Sequence, residues 1–98
     1  QSNNENTIKY VNILVDLLYK NNISVVFEEK FLETYIVQKN QSGKFKTFSD
    51  YYDLDDSFDL FFSVGGDGTF LRSITFVRDL NIPIIGINTG RLGFLATI

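Results

Sequence analysis

Apolar residues fall along this chain in two rhythms. Between residues 7 and 20, Ile8, Val11, Val15 and Leu18 recur at helical spacing, with Leu14 and Leu17 beside them. That pattern predicts an amphipathic helix. Asn21-Asn22 ends it. Ile23-Ser24-Val25-Val26-Phe27 is short and rich in β-branched residues, and predicts a strand. After a polar break at Glu28-Glu29-Lys30, the residues Phe31, Leu32, Tyr35 and Ile36 return to helical spacing over a short span. Residues 40–46 carry Ser, Gly and Lys and predict a loop. Leu60-Phe61-Phe62-Ser63-Val64 is an apolar run that suits a strand covered on both faces. Residues 70–77 return to a helical pattern. Asn81-Ile82-Pro83 is a break; Pro83 cannot sit in a central ladder but can precede one. Ile84-Ile85-Gly86-Ile87 follows as another buried strand, and Asn88 to Leu95 forms a glycine-bearing loop at its end.

Alternation of helices and strands predicts an α/β fold, an open parallel sheet flanked by helices. Two loops then follow the carboxyl ends of two strands, the edge where ligands bind in such sheets. An α/β unit usually opens on a strand, whereas this chain opens on a polar turn and a helix and stops soon after the second loop. A fragment cut at both ends is the expectation.

Composition narrows the chemistry. With 98 residues and 44% hydrophobic residues, the chain is long enough for one small domain with a core. A net charge of −3 argues against nucleic acid or an anionic membrane as partner. There is no Cys and no His, which removes thiolate chemistry, imidazole bases and most zinc sites. No window has the length of a membrane span, and the polar start Gln1-Ser2-Asn3-Asn4-Glu5-Asn6 is no signal peptide, so a cytoplasmic location is expected. Asp50, Asp53, Asp55 and Asp56, between residues 48 and 58, lack the ligand spacing and turn glycine of a hard-cation loop and read as a solvated linker. Tyr51 and Tyr52 in the same stretch read as core or linker.

The stretch with the most chemistry is Gly65-Gly66-Asp67-Gly68-Thr69, between an apolar strand and a helix. Glycines let backbone approach a ligand closely. A helix start offers unpaired N–H groups and the positive end of a dipole, so phosphate is a natural guest. Asp67 would repel that phosphate, which suggests a chemical task or a contact to hydroxyl or metal. The dinucleotide fingerprint fails because Leu71 stands where its third glycine belongs. The Walker A pattern fails too, since Gly43-Lys44 is followed by Phe45.

Val64-Gly65-Gly66-Asp67-Gly68-Thr69-Phe70-Leu71 resembles the GGDGT signature of a kinase superfamily that includes NAD kinases, diacylglycerol and sphingosine kinases and 6-phosphofructokinases. The second loop, Gly86-Ile87-Asn88-Thr89-Gly90-Arg91-Leu92-Gly93-Phe94-Leu95, is similar to the GxNxGxLGFL run of NAD kinases. The motif-bearing part covers residues 60–95; the front half agrees only in coarse pattern.

The resemblance implies a Rossmann-like N-terminal domain of a two-domain kinase, with residues 1–98 its nucleotide-binding part and a β-rich C-terminal domain absent. It implies transfer of the γ-phosphoryl of ATP, or of polyphosphate, to the 2′-hydroxyl of the adenosine ribose of NAD, giving NADP, with Mg2+ as divalent cation. On the matching positions, Asp67 is the catalytic carboxylate that accepts the ribose hydroxyl proton. Gly68 lets NAD lie close to the backbone, Arg72 stands near the NAD phosphates and Phe94 packs on the adenine side. Gly65, Gly66, Gly68 and Thr69 form the phosphate loop, Asn88 shapes the strand-to-loop turn, and no residue here is a metal ligand.

Plainer readings stand beside these. The glycines, Gly90 and Gly93 among them, also serve tight turns, Arg72 also reads as a surface helix residue, and Phe94 as core. A positioned base typically supplies about 10²–10⁴ in rate, and without His the loop aspartate is the best base on offer. The full-length protein is expected to be a homo-oligomer, a dimer or tetramer. A molecule ending at Ile98 is expected to be inactive. Two other functions share the first motif: a lipid or sugar-phosphate kinase, and a non-catalytic nucleotide-binding module.

Overall fold

A computed structural model describes residues 3–35, 45–90 and 94–97. The chain divides into two compact units, Ser2–Ser49 and Asp50–Ile98.

In the first unit, helix α1 (Asn3–Lys20) leads to strand β1 (Val26–Glu28), helix α2 (Glu29–Tyr35) and strand β2 (Lys46–Phe48). The Asn pair stops α1 as the sequence suggests. Asn22 takes the left-handed conformation at φ 59°, and the Ile23 N–H turns back to the Leu18 carbonyl at 2.9 Å. This return displaces the strand expected over 23–27, which begins only at Val26. Helix α2 starts two residues earlier than its apolar spacing implies, because the Glu28 carboxylate accepts from the N–H groups of Lys30 and Phe31 at 2.9 and 3.0 Å.

Strand β2 falls where a loop and a linker were expected. It pairs with β1 in parallel, with Phe27 opposite Thr47. Val11, Phe27, Leu32 and Phe48 are buried. Phe45 meets Phe27 edge-on at 4.8 Å between centroids and stacks on Tyr19 at 6.0 Å. Of the loop expected over 40–46, residues 40–44 lie outside the described residues.

The second unit begins with a single 3-10 turn, Tyr51–Asp53, which accounts for two of the clustered aspartates. The Asp50 carboxylate accepts from the Tyr52 N–H at 2.9 Å, and the Asp53 carboxylate accepts from the Asp50 N–H at 3.3 Å. Asp55 accepts from the Ser57 N–H and hydroxyl, and these bonds hold its carboxyl below the usual range. These aspartates form turns, and Leu54 among them is buried. Tyr51 is half-buried and Tyr52 exposed.

Strand β3 (Phe61–Gly65), helix α3 (Asp67–Val77) and strand β4 (Ile84–Asn88) form a parallel strand–helix–strand unit. Val77, Ile82 and Ile84 are its buried centre, with Phe58, Phe61, Phe70 and Leu80 packed against it. The Pro83 carbonyl accepts from the Phe61 N–H at 2.9 Å, so the proline extends the ladder just ahead of β4, as its missing N–H allows. A further strand, β5 (Phe94–Thr97), pairs antiparallel with β4, and the strand order is β3-β4-β5.

The α/β class with parallel pairing and flanking helices holds. Phe94 and Leu95, expected in a loop, belong instead to β5, because the chain reverses after Asn88 and brings Phe94 opposite it. No helix among the described residues is long and apolar enough to cross a membrane.

Candidate functional site

The glycine turn joins the carboxyl end of β3 to the first turn of α3. Gly65 closes β3 at φ 156°, a conformation that side chains rarely adopt. A Cβ there would lie 2.6 Å from the Thr69 hydroxyl oxygen. Gly66 is the N-cap of α3, with no side-chain cap bond, and its carbonyl accepts the first helical bond from Phe70 at 3.2 Å. Asp67 is the first helical residue and is exposed. A Cβ added at Gly66 or Gly68 meets nothing within 4 Å. Only Gly65 is therefore a glycine for reasons inside the described chain; the other two leave open space over the helix start.

Strand β4 supplies the opposite side of the turn. Gly65 pairs with Asn88, and the Thr89 N–H donates to the Gly65 carbonyl at 2.9 Å. The Asn88 amide donates from Nδ2 to Asp67 Oδ1 at 3.0 Å, while its Oδ1 accepts from the Gly90 N–H at 2.9 Å. Asn88 thus shapes its turn as expected, and in addition holds Asp67. Sequence reasoning missed that second contact, since it spans 21 positions and only the strand register brings the residues together.

Thr69 is half-buried, and its carbonyl accepts from the buried Ser73 hydroxyl at 3.0 Å. Arg72 is exposed on α3, with its guanidinium 5.8 Å from the Phe76 ring centre. The backbone of Phe94 lies in β5 opposite Asn88. Arg91, Leu92 and Gly93 lie outside the described residues. Among the described residues, no group of three or more His, Cys, Asp or Glu side chains is placed to hold a metal ion.

A glycine turn, a helix N-terminus and a carboxylate held by Asn88 thus meet at the carboxyl ends of two parallel strands of an α/β domain, the edge where such sheets bind ligands. The chain belongs to the ATP-NAD kinase N-terminal domain family, whose family model matches residues 1–98. It is 53% identical over 93 residues to an NAD kinase of Christiangramia forsetii, covering 95% of this chain and 32% of that protein. It is 55% identical over 85 residues to an NAD kinase of Flavobacterium psychrophilum, covering 87% of this chain and 29% of that protein. An NAD kinase of Cytophaga hutchinsonii is 50% identical over 95 residues, covering 95% of this chain and 32% of its own length. The chain thus spans about a third of the length of these relatives. No solved structure matches it.

Proposed function

We propose that this chain is the front domain of an NAD kinase that transfers the γ-phosphoryl of ATP, or of polyphosphate, to the 2′-hydroxyl of the adenosine ribose of NAD. The observation that carries the reading is the placement of Asp67. It is an exposed carboxylate at the first position of α3, held by Asn88 and flanked by two glycines with open space above them. Membership of the family and relatives named NAD kinase support it.

A ribose hydroxyl is a poor nucleophile at neutral pH. Asp67 accepts its proton as the oxygen attacks phosphorus, for a gain of about 10²–10⁴ in rate. Alignment of the reacting groups and neutralisation of charge supply the rest. Gly68 lets NAD lie against the helix start, Arg72 faces its phosphates and Phe94 lies on the adenine side. Gly65 sets the turn, while Gly66, Gly68 and Thr69 border the phosphates. A divalent cation such as Mg2+ would be carried by the nucleotide phosphates and would neutralise their charge, a common mode for this ion.

The test uses the full-length protein with ATP, Mg2+ and NAD. NADP formation is expected, with Asp67→Asn retaining NAD binding and losing turnover. Phosphorylation of diacylglycerol or sphingosine in place of NAD would overturn the assignment, and so would full turnover by the Asp67→Asn protein.

A further inference from the structure

We infer that Asn88 is a positioning residue for Asp67, acting through the carboxylate and not on the substrate. This inference rests on the proposed role of Asp67 and adds a second residue to it.

The orientation of the Asn88 amide is fixed from both ends. Its Oδ1 accepts the Gly90 N–H at 2.9 Å and its Nδ2 donates to Asp67 Oδ1 at 3.0 Å. The flipped amide would set oxygen against carboxylate oxygen, and NH₂ against N–H, so both contacts select the same orientation. The amide is also mounted on a fixed base. Asn88 ends β4 in register with Gly65, and the next residue, Thr89, donates its N–H to the Gly65 carbonyl.

Asp67 itself is exposed at a helix start, where a carboxylate samples several rotamers. The Asn88 contact at Oδ1 narrows that choice and fixes the plane of the carboxylate. A base displaced by about 1 Å loses on the order of 10²-fold in rate, so this orientation has a kinetic consequence. The register of β3 with β4 thereby sets the aim of the base.

These two contacts can be separated in the full-length protein. Asn88→Asp keeps an oxygen for the Gly90 N–H and removes the donor to Asp67. Asn88→Ser does the same without adding charge, its hydroxyl serving as a weaker turn acceptor, and stands in should the first variant fail to fold. We expect kcat to fall about 10–100-fold while KM for NAD stays within about threefold. The same substitutions made in an Asp67→Asn background should cause no further loss, because the residue they act through is already disabled. Wild-type kcat in the Asn88→Ser protein, or equal losses in the two backgrounds, would overturn the inference and leave Asn88 as a turn residue. Wild-type turnover by Asp67→Asn alone overturns the role of Asp67 and this inference together. An inactive Asp67→Asn beside a fully active Asn88→Ser overturns this inference only.

Discussion

Gly65 and Thr69 stand so close that a methyl group on Gly65 would lie 2.6 Å from the Thr69 hydroxyl oxygen and 3.0 Å from its Cβ. Thr69 is β-branched and stiff at χ1, so its side chain has little room to turn away. The φ of 156° at Gly65 adds strain for any other residue. Gly65→Ala is therefore expected to cost about 1–3 kcal/mol from the backbone and a similar amount from overpacking. Adding Thr69→Ala should recover part of the second share and none of the first. Urea unfolding of the two variants and the double variant measures both.

Gly68 behaves in the opposite way. It sits in the first turn of α3, and an added Cβ meets nothing within 4 Å. Glycine in a helix costs about 0.5–1 kcal/mol relative to alanine. Gly68→Ala should raise stability by up to that amount while lowering NAD affinity, because the methyl group occupies the space assigned to the ligand. A melting curve and a KM determination on the same preparation check it. Higher stability with unchanged KM would place NAD elsewhere.

The contrast between these two glycines also shows how far the sequence could be read. The β3, α3 and β4 elements were legible because apolar runs, a glycine turn and Pro83 mark their edges locally. Strand β2 was not legible. Lys46 and Thr47 are exposed and only Phe48 is buried, so nothing in its three residues marks a strand except its pairing with β1. Strand β5 was hidden by the glycines ahead of it, which read as loop. At the site, Asp67 stood out as a carboxylate among glycines. The grip of Asn88 did not, because it depends on strand register and on no local pattern.

Arg72 gives a third prediction. It is exposed on α3 and lies near the Phe76 ring, a contact worth about 0.5–1 kcal/mol at a surface. Arg72→Ala should lower stability through this contact by about that amount, a melting shift of a few degrees. A charge-assisted bond to phosphate contributes about 1.5–3 kcal/mol, so KM for NAD should rise about tenfold or more with kcat little altered. Arg72→Lys should restore part of the affinity, since an ammonium keeps the charge and loses the planar fork. An unchanged KM in both variants would make Arg72 a plain surface residue.

The last prediction concerns pH, away from the loop. The Tyr51 hydroxyl donates to Asp79 Oδ1 at 2.8 Å, and Arg78 lies 4.5 Å from the Tyr51 ring centre. The hydrogen bond to Asp79 raises the Tyr51 pKa above its ordinary 10.0; burial and the Asp79 charge add to this, and the Arg78 charge opposes it. A raised tyrosine pKa means the folded state holds the proton more tightly than the unfolded chain. The stabilisation is complete below pH 10.0 and is lost as pH rises through the folded-state pKa. Asp79→Asn removes the carboxylate and should bring the Tyr51 titration back towards the ordinary value. Ultraviolet absorbance of tyrosinate, recorded as a difference against Tyr51→Phe, isolates this one group. An unshifted Tyr51 titration in the Asp79→Asn protein would mean that the carboxylate is not its cause.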